Sequence, residues 1–448
     1  MGKNFTRKKR FSEVRILALG FAIVILFGGL LLSLPISSNS GKYTNLIDSM
    51  FTATSAVCVT GLVTLDTGTY WSVFGQCVIM TLIEIGGLGF MTFATVIFML
   101  LGKKITLRDR LIMQESMNAF EIQGLVRMLK YVLKLTFGIQ ITAAFLLSIV
   151  FIPKFGFNKG VFFSIFHSIS AFCNAGFDLF GNFSSLTGFS ENYFVLIVIS
   201  FLIIIGGIGF SVLMEICNYK KAKRFSVHSK IVLSITACLI FGGAALIFFL
   251  EYKNNATLGK FDFGRKILNA MFASITPRTA GFNSISTGDM TMGGKLVTII
   301  LMFIGGSPGS TAGGFKTTTF GILVFTVISV LKGRSDTEAF ERRFSKETVY
   351  KAFTLFALGI GLVIIVTMII SITEPNQKYI DILYEAASAF GTVGLTTGIT
   401  QQIGLISKIV LMFTMYCGRV GTITVILAVM NKNKKTSIKY PEGKILVG

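Results

Sequence analysis

The sequence predicts an all-α membrane protein with eight transmembrane helices arranged as four similar repeats. Three observations lead to this fold class: an apolar composition, eight long apolar runs, and a segment pattern that recurs four times. Of the 448 residues, 52% are hydrophobic and only 14% are charged, whereas a typical soluble domain has about 25% charged residues. The composition therefore argues against a soluble enzyme.

Eight runs are long enough to cross a hydrocarbon core of about 30 Å at the helical rise of about 1.5 Å per residue. One acid, Glu84, interrupts the second run, and glycines break the sixth. None of the runs alternates strictly between apolar and polar residues as a barrel strand does, so we expect helices. The predicted spans are residues 16–34, 71–102, 135–153, 193–214, 231–250, 296–331, 352–373 and 409–430.

Basic residues collect in the two termini and in every second connection between spans. These five segments hold 29 of the 42 Lys and Arg residues. If every span crosses once, all five lie on one side, and the positive-inside rule predicts a multi-pass cell membrane protein with both termini cytoplasmic. The net charge of +21 is then an orientation signal, and no nucleic acid partner is expected. Membrane lipid is a further candidate partner for the basic segments.

The cysteines indicate neither a metal site nor a disulfide. The six cysteines show no C-x-x-C spacing, and three of them, Cys77, Cys238 and Cys417, lie inside predicted spans. We therefore expect reduced packing residues, with no disulfide and no zinc site.

Between the two spans of each pair lies a segment too short to cross a membrane and too apolar for an ordinary loop. About 10 to 12 helix-compatible residues precede an irregular, glycine-containing stretch in each copy. This pattern is typical of a re-entrant half-helix followed by a descending loop. The segments cover residues 44–62, 160–177, 263–282 and 380–395, and they end in SAVCVTGL (55–62), SAFCNAGF (170–177), ITPRTAGF (275–282) and SAFGTVGL (388–395).

Two glycine markers keep the same register in all four copies, which chance glycines would not do. The first marker is Gly61, Gly176, Gly281 and Gly394; the second is a G-x-x-G at Gly86/Gly89, Gly206/Gly209, Gly306/Gly309 and Gly418/Gly421, 24 to 30 residues later. The predicted organisation is a cytoplasmic N-terminus (1–15), repeats at 16–102, 127–219, 228–331 and 347–430, and a cytoplasmic tail (431–448).

Non-helical backbone at membrane depth must line water or be buried in protein. Four such loops from one chain can surround one axis, so we predict span–pore loop–span repeats with pseudo-fourfold symmetry around one central pore. The half-helices direct partially negative ends toward the axis, and glycines with positive φ let carbonyl groups replace the hydration shell of a cation. The alternative is that these glycines serve helix packing alone.

The candidate filter consists of the three residues that end at each first-marker glycine. The fourth copy, Thr392-Val393-Gly394, matches the first three residues of the TVGYG potassium filter. Because each copy has one glycine rather than two, we expect fewer defined carbonyl sites and a less certain discrimination against sodium. The other triplets are Val59-Thr60-Gly61, Asn174-Ala175-Gly176 and Thr279-Ala280-Gly281.

A polar, flexible stretch in the sixth span predicts a break at mid-membrane, since each Gly costs a helix about 1 kcal/mol and Pro about 3 kcal/mol relative to Ala. Beside a cavity it would obstruct the pore below the filter; a static kink is the alternative. The stretch consists of Gly305, Gly306, Ser307, Pro308, Gly309, Ser310, Thr311, Ala312, Gly313, Gly314, Phe315 and Lys316.

The same stretch contains a G-x-S-x-G pattern at residues 305–309, which suggests a rival function as an intramembrane serine hydrolase that uses Ser307. Such an enzyme needs a base. The two histidines are His167, in the second half-helix, and His228, in a basic connection. Neither lies on a span that obviously faces Ser307.

Arg419 lies inside the G-x-x-G of the eighth span. An intramembrane arginine costs about 2.5–3.5 kcal/mol or more and usually faces a cavity or a partner. We predict that it lies in the pore near residues 305–316 and limits flux, with pairing to Glu84 or another buried acid as the alternative. Arg278 is a candidate anchor for the third loop, with Asp178 or Asp48 as its partner; Glu84 and Glu215 carry no specific prediction.

On the four loops, the broken sixth span and the arginine in the eighth, the chain resembles the Trk/Ktr/HKT superfamily of potassium transporters, most closely the membrane subunit of the bacterial Ktr type. The resemblance extends from about residue 15 to the C-terminus. It implies a homodimer with one pore per subunit, an intramembrane gating loop at residues 305–316, and a cytosolic nucleotide-binding regulatory ring (KtrA-like). It implies no cofactor in this chain, K⁺ as the transported ion and Na⁺ as a candidate coupling ion.

A secondary transporter of another solute, built from inverted repeats, is a third alternative. The four copies here all run in the same orientation, which favours a ring. No nucleotide-binding motif was found, so uptake is expected to be passive or ion-coupled.

Overall fold

The computed structural model describes residues 13–89, 91–93, 95, 110–112, 114 and 125–429. Most of the predicted N-terminus, the end of the second span, most of the basic connection at 103–124 and the tail at 431–448 lie outside the described residues. The helices in chain order are α1 (Glu13–Ser33), α2 (Leu46–Val57), α3 (Val73–Leu88), α4 (Leu125–Phe155), α5 (Phe157–Phe172), α6 (Tyr193–Ile208), α7 (Phe210–Cys217), α8 (Tyr219–Ala222), α9 (Val227–Glu251), α10 (Phe263–Ile275), α11 (Met292–Phe303), α12 (Thr317–Leu331), α13 (Lys346–Thr373), α14 (Tyr379–Gly391), α15 (Leu405–Val420) and α16 (Thr422–Val429).

Long apolar helices confirm that the fold is mainly helical and suited to a membrane. Among the described residues, α1, α4, α9 and α13 are long and apolar enough to cross one, and the bent pair α6–α7 would make a fifth span. Shorter apolar helices are α3, α11 and α12. Apolar side chains on the outer faces stay exposed, such as Phe145 at 69% and Ile372 at 79%, which is typical of a surface that faces lipid. The count of eight spans stays a prediction.

Four short helices, α2, α5, α10 and α14, begin within three residues of the predicted half-helices. Each packs against the long helix that precedes it, namely α1, α4, α9 and α13. Each short helix has a large side chain that is completely or almost completely buried, namely Phe51, Phe166, Phe272 and Tyr384, whereas side chains at the helix starts such as Phe157 and Tyr379 are exposed. The inner parts of the short helices are therefore enclosed by protein, as non-spanning segments at membrane depth require.

The second helix of each pair is broken, whereas the sequence predicted continuous spans at 71–102, 193–214 and 409–430. Helices α3, α6 and α15 each end directly before a second-marker glycine, and the axes of α6 and α7 differ by 105°. Gly89, Gly209 and Gly421 have φ of 86°, 101° and 97°, a left-handed backbone that ends an α-helix. The predicted break in the sixth span is confirmed, since α11 ends at Phe303 and α12 begins at Thr317.

The first glycine of three G-x-x-G markers lets a helix approach the end of a half-helix. A Cβ built on this glycine would lie about 3 Å from a carbonyl carbon. A side chain would not fit there without a shift of the backbone, so these glycines serve close packing. The pairs are Gly86 with Val57 (2.8 Å), Gly206 with Phe172 (3.1 Å) and Gly418 with Phe390 (3.0 Å).

One small element departs from the predicted all-α class. Strands β1 (Glu338–Ala339) and β2 (Arg342–Arg343) pair antiparallel in the connection between α12 and α13. Phe340 and Glu341 between them have φ of 50° and 61°, as a type I′ hairpin turn requires.

Candidate cation site

The four first-marker glycines lie next to one another in a closed cycle. A Cβ built on Gly61 would lie 3.1 Å from the Cα of Gly176. The corresponding distances are 2.9 Å from Gly176 to Gly281, 3.3 Å from Gly281 to Gly394, and 2.9 Å from Gly394 back to Gly61. Segments that are more than 100 residues apart in sequence thus meet at one place, each through a residue without a side chain.

The backbone has the same unusual conformation in all four copies. The glycines have φ of 92°, 70°, 80° and 91° in chain order. The residue two positions earlier also has positive φ: 56° at Val59, 58° at Asn174, 72° at Thr279 and 50° at Thr392. A non-glycine residue in this region costs about 1–3 kcal/mol, and such strain clusters at functional sites. Four matched cases therefore indicate one local structure used four times.

Carbonyl oxygens border the cycle of glycines. The oxygen of Ala175 would lie 2.5 Å from a Cβ on Gly61, and that of Ala280 would lie 2.7 Å from a Cβ on Gly176. The carbonyl oxygens of Val393 and Thr60 lie in the same way beside Gly281 and Gly394. Each of the four oxygens comes from the residue before a marker glycine, so the cycle carries four equivalent neutral oxygen donors.

Hydroxyl groups at the ends of the half-helices hold the loops in place. Ser55 Oγ accepts from the Gly61 amide at 3.0 Å, and Ser388 Oγ accepts from the Gly394 amide at 3.1 Å. In the middle copies the hydroxyl donates instead: Ser170 to the Phe177 carbonyl at 2.7 Å and Thr276 to the Phe282 carbonyl at 2.5 Å. The sequence analysis missed this role, although serine begins three of the four octapeptides.

Polar side chains of the triplets are buried beside the cycle. Thr60, Asn174, Thr279 and Thr392 are all 0% exposed. The Asn174 amide lies 3.3 Å from the Thr279 hydroxyl, and the hydroxyls of Thr60 and Thr392 have no hydrogen-bond partner among the described residues. Together with the carbonyl groups they form a compact environment of neutral oxygens, which suits a hard cation.

Residues 305–316 lie against this cycle and are held by hydrogen bonds between backbone groups. The amide of Ser307 donates to the Gly207 carbonyl at 2.9 Å, and that of Gly314 donates to the Gly418 carbonyl at 3.2 Å. A Cβ on Gly305 would lie 3.2 Å from the Cγ2 atom of Thr279. The segment therefore connects the broken helices α6 and α15 and contacts the third triplet directly.

Two cations bind the backbone of this segment. Arg419 donates through Nη1 to the Thr311 carbonyl and through Nη2 to the Gly86 carbonyl and, at 3.1 Å, to that of Gly87. Lys316 Nζ donates to the carbonyls of Ala312 at 2.8 Å and Gly313 at 3.2 Å. Three successive carbonyl groups of the segment are thus held by positive charge. The predicted location of Arg419 beside residues 305–316 is confirmed.

Glu84 does not pair with Arg419, so that alternative is wrong. The Glu84 carboxylate instead accepts from Gln140 Nε2 at 2.9 Å and Cys173 Sγ at 3.3 Å. Among the described residues, Arg419 is in no ion pair.

A cavity of about 470 Å³ borders residues 308–310, 312 and 314–316. Its described lining includes Lys316, Lys351 and Arg419 but no carboxylate, together with apolar side chains such as Leu17 and Leu427. A cation that entered this cavity would meet a positive potential, which is the effect predicted for Arg419.

The predicted partners of Arg278 are wrong. Its guanidinium Nη2 donates to the Thr236 hydroxyl at 3.2 Å. Asp178 accepts from the Phe180 amide at 3.1 Å, and Asp48 forms an ion pair with Lys408 at 2.7 Å.

Two ion pairs that the sequence analysis missed connect neighbouring repeats. Lys408 of the fourth repeat pairs with Asp48 of the first, and Lys295 of the third pairs with Asp381 of the fourth at 2.9 Å. Each joins the start of a second helix to the start of a half-helix. The sequence shows that the two lysines occupy matching positions in their helices, as do the two aspartates. It does not show which repeats are neighbours.

The hydrolase alternative lacks the geometry it needs. Ser307 Oγ lies 2.9 Å from the Thr317 hydroxyl. The His167 ring contacts the Phe163 carbonyl through Nδ1 at 2.7 Å and accepts from the Leu179 amide through Nε2 at 3.3 Å. Both ring nitrogens are therefore engaged away from Ser307, and His167 and Ser307 do not form a nucleophile–base pair.

Comparison with known proteins gives consistent matches over nearly the whole chain. A family model described as TrkH, cation transport protein, matches residues 16–439. The potassium/sodium uptake protein NtpJ of Enterococcus hirae is 47% identical, over 98% of both chains. The Ktr system potassium uptake protein B of Bacillus subtilis is 42% identical, over 98% of this chain and 97% of the relative. The solved potassium transporter TrkH from Vibrio parahaemolyticus has the same fold, with a TM-score of 0.72 at 16% identity over 95% of this chain and 86% of that chain.

Proposed function

The chain belongs to the TrkH family of cation transport proteins, which are transporters and not enzymes, and from this premise we propose that it is the potassium-conducting membrane subunit of an uptake system. The observation that carries the proposal is the closed cycle of Gly61, Gly176, Gly281 and Gly394, bordered by carbonyl oxygens. A potassium ion would pass between the four segments along one pseudo-fourfold axis.

In this proposal the cycle is a selectivity filter. The carbonyl oxygens of Thr60, Ala175, Ala280 and Val393 replace part of the hydration shell of the ion, and the buried triplet hydroxyls add further oxygens. The half-helices α2, α5, α10 and α14 end next to the filter, so their partially negative C-termini favour a cation there. Neutral donors are expected to prefer a monovalent cation, because a divalent ion loses more hydration energy on entry.

Residues 305–316 act as the gate. They lie against the filter and are held by Arg419 and Lys316, so in this arrangement both backbone and positive charge obstruct the ion. Opening requires the hydrogen bond between Arg419 and the Thr311 carbonyl to break. Gly309 and Gly314, with φ of 66° and 64°, are the positions where the backbone can change most easily.

In this proposal an inside-negative membrane potential drives uptake. An inside-negative potential contributes about 2.3 kcal/mol per charge per 100 mV, which is nearly fiftyfold accumulation of a monovalent cation. Na⁺ is the candidate coupling ion, in line with the potassium/sodium name of one relative.

Partner subunits form part of the proposal. Three of the relatives are named as components of a Ktr system, and we expect a homodimer of this chain with a cytosolic nucleotide-binding regulatory ring on its cytoplasmic face. The basic connections, including β1 and β2, are the expected contact surface or, alternatively, bind anionic lipid.

Growth of a potassium-uptake-deficient cell tests the proposal. The native chain should restore growth at low potassium, and Gly394→Ser should not, because this glycine has φ of 91° and lies beside the first triplet. Gly41→Ala, at a glycine with φ of 66° and open space around it, should still restore growth. Rescue by Gly394→Ser, or a native chain that moves no potassium, would contradict the proposal.

A further inference from the structure

Glu84 is at the centre of a polar cluster where the first and second repeats meet. Its Oε2 accepts hydrogen bonds from Gln140 Nε2 at 2.9 Å and from Cys173 Sγ at 3.3 Å. Gln140 is 4% exposed and Cys173 0%. The Gln140 carbonyl also accepts from Ser168 Oγ at 2.6 Å. A single carboxylate therefore ties together α3, α4 and the end of α5.

The cluster adjoins both the second filter triplet and the gate arginine. Cys173 directly precedes the Asn174-Ala175-Gly176 triplet. A Cβ built on Gly87 would lie 2.7 Å from Cys173 Sγ, and the Gly87 carbonyl accepts from Arg419 at 3.1 Å. An unbroken series of contacts thus runs from the filter through Cys173 and Gly87 to Arg419.

The fold of the repeat does not require an acid at this position. The residues that correspond to Glu84, two before the first glycine of G-x-x-G, are Ile204, Ile304 and Tyr416. A carboxylate inside a membrane protein is costly, and Glu84 Oε1 is buried with no hydrogen-bond partner among the described residues. The acid is thus a specific feature of the first repeat, located on the helix that supplies two of the acceptors of Arg419.

We propose that Glu84 is a positioning residue of the gate: by holding Gln140 and Cys173 it fixes the turn of α3 whose Gly86 and Gly87 carbonyls accept from Arg419. The inference rests on the proposed function, and it adds a part to the gate that no triplet or loop residue supplies. When the carboxylate is removed, the turn gains freedom, the acceptors of Arg419 are less well placed, and residues 305–316 are released more easily.

Potassium uptake by the full chain in a potassium-uptake-deficient cell tests this, with the amount of protein in the membrane measured for each variant. Glu84→Ala should raise the maximal rate about two- to tenfold, the range expected for coupling within a contact network. The half-saturating potassium concentration should not change, because the filter glycines are untouched. Glu84→Gln, which keeps an acceptor oxygen for both donors, should largely restore the native rate. Thr81→Ala is the matched control, since this exposed hydroxyl on α3 bonds only to the Cys77 carbonyl.

The decisive measurement is the combination with Arg419→Gln. If Glu84 acts through the arginine, Glu84→Ala should have no further effect in the Arg419→Gln background. Three outcomes would each overturn the proposal. The first is a double variant in which the two single effects on the rate multiply, and the second is a Glu84→Ala variant with an unchanged rate. The third is a Glu84→Gln variant with the same effect as Glu84→Ala. Should Glu84→Ala not reach the membrane, Cys173→Ala, which removes one of the two donors, carries the same test. A native chain without potassium uptake would instead contradict the proposed function itself.

Discussion

Gly313 lies so close to Thr392 that a Cβ built on the glycine would be 2.9 Å from the Thr392 Cγ2 atom. The proposed gate therefore contacts the first residue of the fourth triplet with nothing between them. Gly314 is similarly close to Gly391, with 3.1 Å to its Cα. A movement of residues 305–316 cannot leave the fourth triplet unaffected, so the following predictions concern the gate and the filter together.

Arg419→Gln should raise the potassium flux. The substitution removes one positive charge and weakens the charge-assisted hydrogen bonds to the Thr311, Gly86 and Gly87 carbonyls, so we expect an increase of roughly tenfold in maximal uptake rate. Lys351→Gln removes a charge from the same cavity but, within the described part of the chain, no hydrogen bond that holds residues 305–316, and it should change the rate much less. Equal effects of the two substitutions would assign the result to net charge alone.

Gly281→Ala should abolish selective transport. Its Cβ would lie 3.1 Å from the Gly176 Cα and 3.3 Å from the Gly394 Cα, and its φ is 80°. Both neighbouring segments would have to move. Gly41→Ala is the control for backbone strain alone, because φ is 66° there and no atom lies within 4 Å of the added Cβ. Rubidium and sodium fluxes measure the outcome, and a selective Gly281→Ala variant would refute this role of the glycine.

Ser388→Ala should reduce the preference for potassium over sodium. The substitution leaves the buried Gly394 amide without its acceptor, at a cost of about 1–3 kcal/mol, and so loosens the fourth filter segment. The ratio of potassium to sodium flux is the measurement. Ser371→Ala, which removes a hydroxyl bonded to the Thr367 carbonyl of its own helix, should leave this ratio unchanged; a shift of the same size in both variants would count against the argument.

Lys295→Ala should lower the thermal stability of the protein. The ion pair with Asp381 is nearly buried, with side-chain exposures of 11% and 13%, so we expect a loss on the order of 2 kcal/mol in the free energy of unfolding. Exchange of the two residues, Lys295→Asp with Asp381→Lys, should recover part of it. Arg334→Ala breaks an exposed pair with Glu338 and should cost under about 1 kcal/mol. Melting of the detergent-solubilised protein decides between these values.

Gly206→Ala should prevent normal folding. The added Cβ would lie 3.1 Å from the Phe172 carbonyl carbon and still closer to its oxygen, so α6 could not pack against the end of α5. At Gly138, in the exposed face of α4, no atom lies near an added Cβ, and alanine should stabilise the helix by roughly 0.5–1 kcal/mol. The yield of monodisperse protein compares the two variants, and a normal yield of Gly206→Ala would show that the backbone can adjust.

The spacing of glycines in the sequence was enough to predict which segments meet, because four copies in register need one common environment. It did not predict that the second helices break at Gly89, Gly209 and Gly421, since an isolated glycine in an apolar run is also compatible with a continuous helix. The predicted partners of Arg278 were wrong for a different reason. The sequence contains several acids that could pair with a charge at the end of a loop, and only the packing of the helices brings the Thr236 hydroxyl to the guanidinium.

Hydrogen-bonded clusters between repeats were the least accessible to sequence reasoning. Glu84, Gln140 and Cys173 are far apart in the chain, and of the three only Cys173 belongs to one of the repeated octapeptides. Their proximity follows from how α3, α4 and α5 pack, which depends on side-chain shapes along whole helices. By contrast, Ser55 and Ser388 were detectable as the repeated first letter of the octapeptides.

Val59, Asn174, Thr279 and Thr392 share one left-handed backbone conformation although they represent three different amino acids. In a channel assembled from four identical subunits, any substitution at such a position enters the ring four times. Here a single gene encodes every quadrant separately, so the ring can be altered one quarter at a time. A graded series of single, double and triple substitutions can therefore measure how many intact quadrants an ion needs.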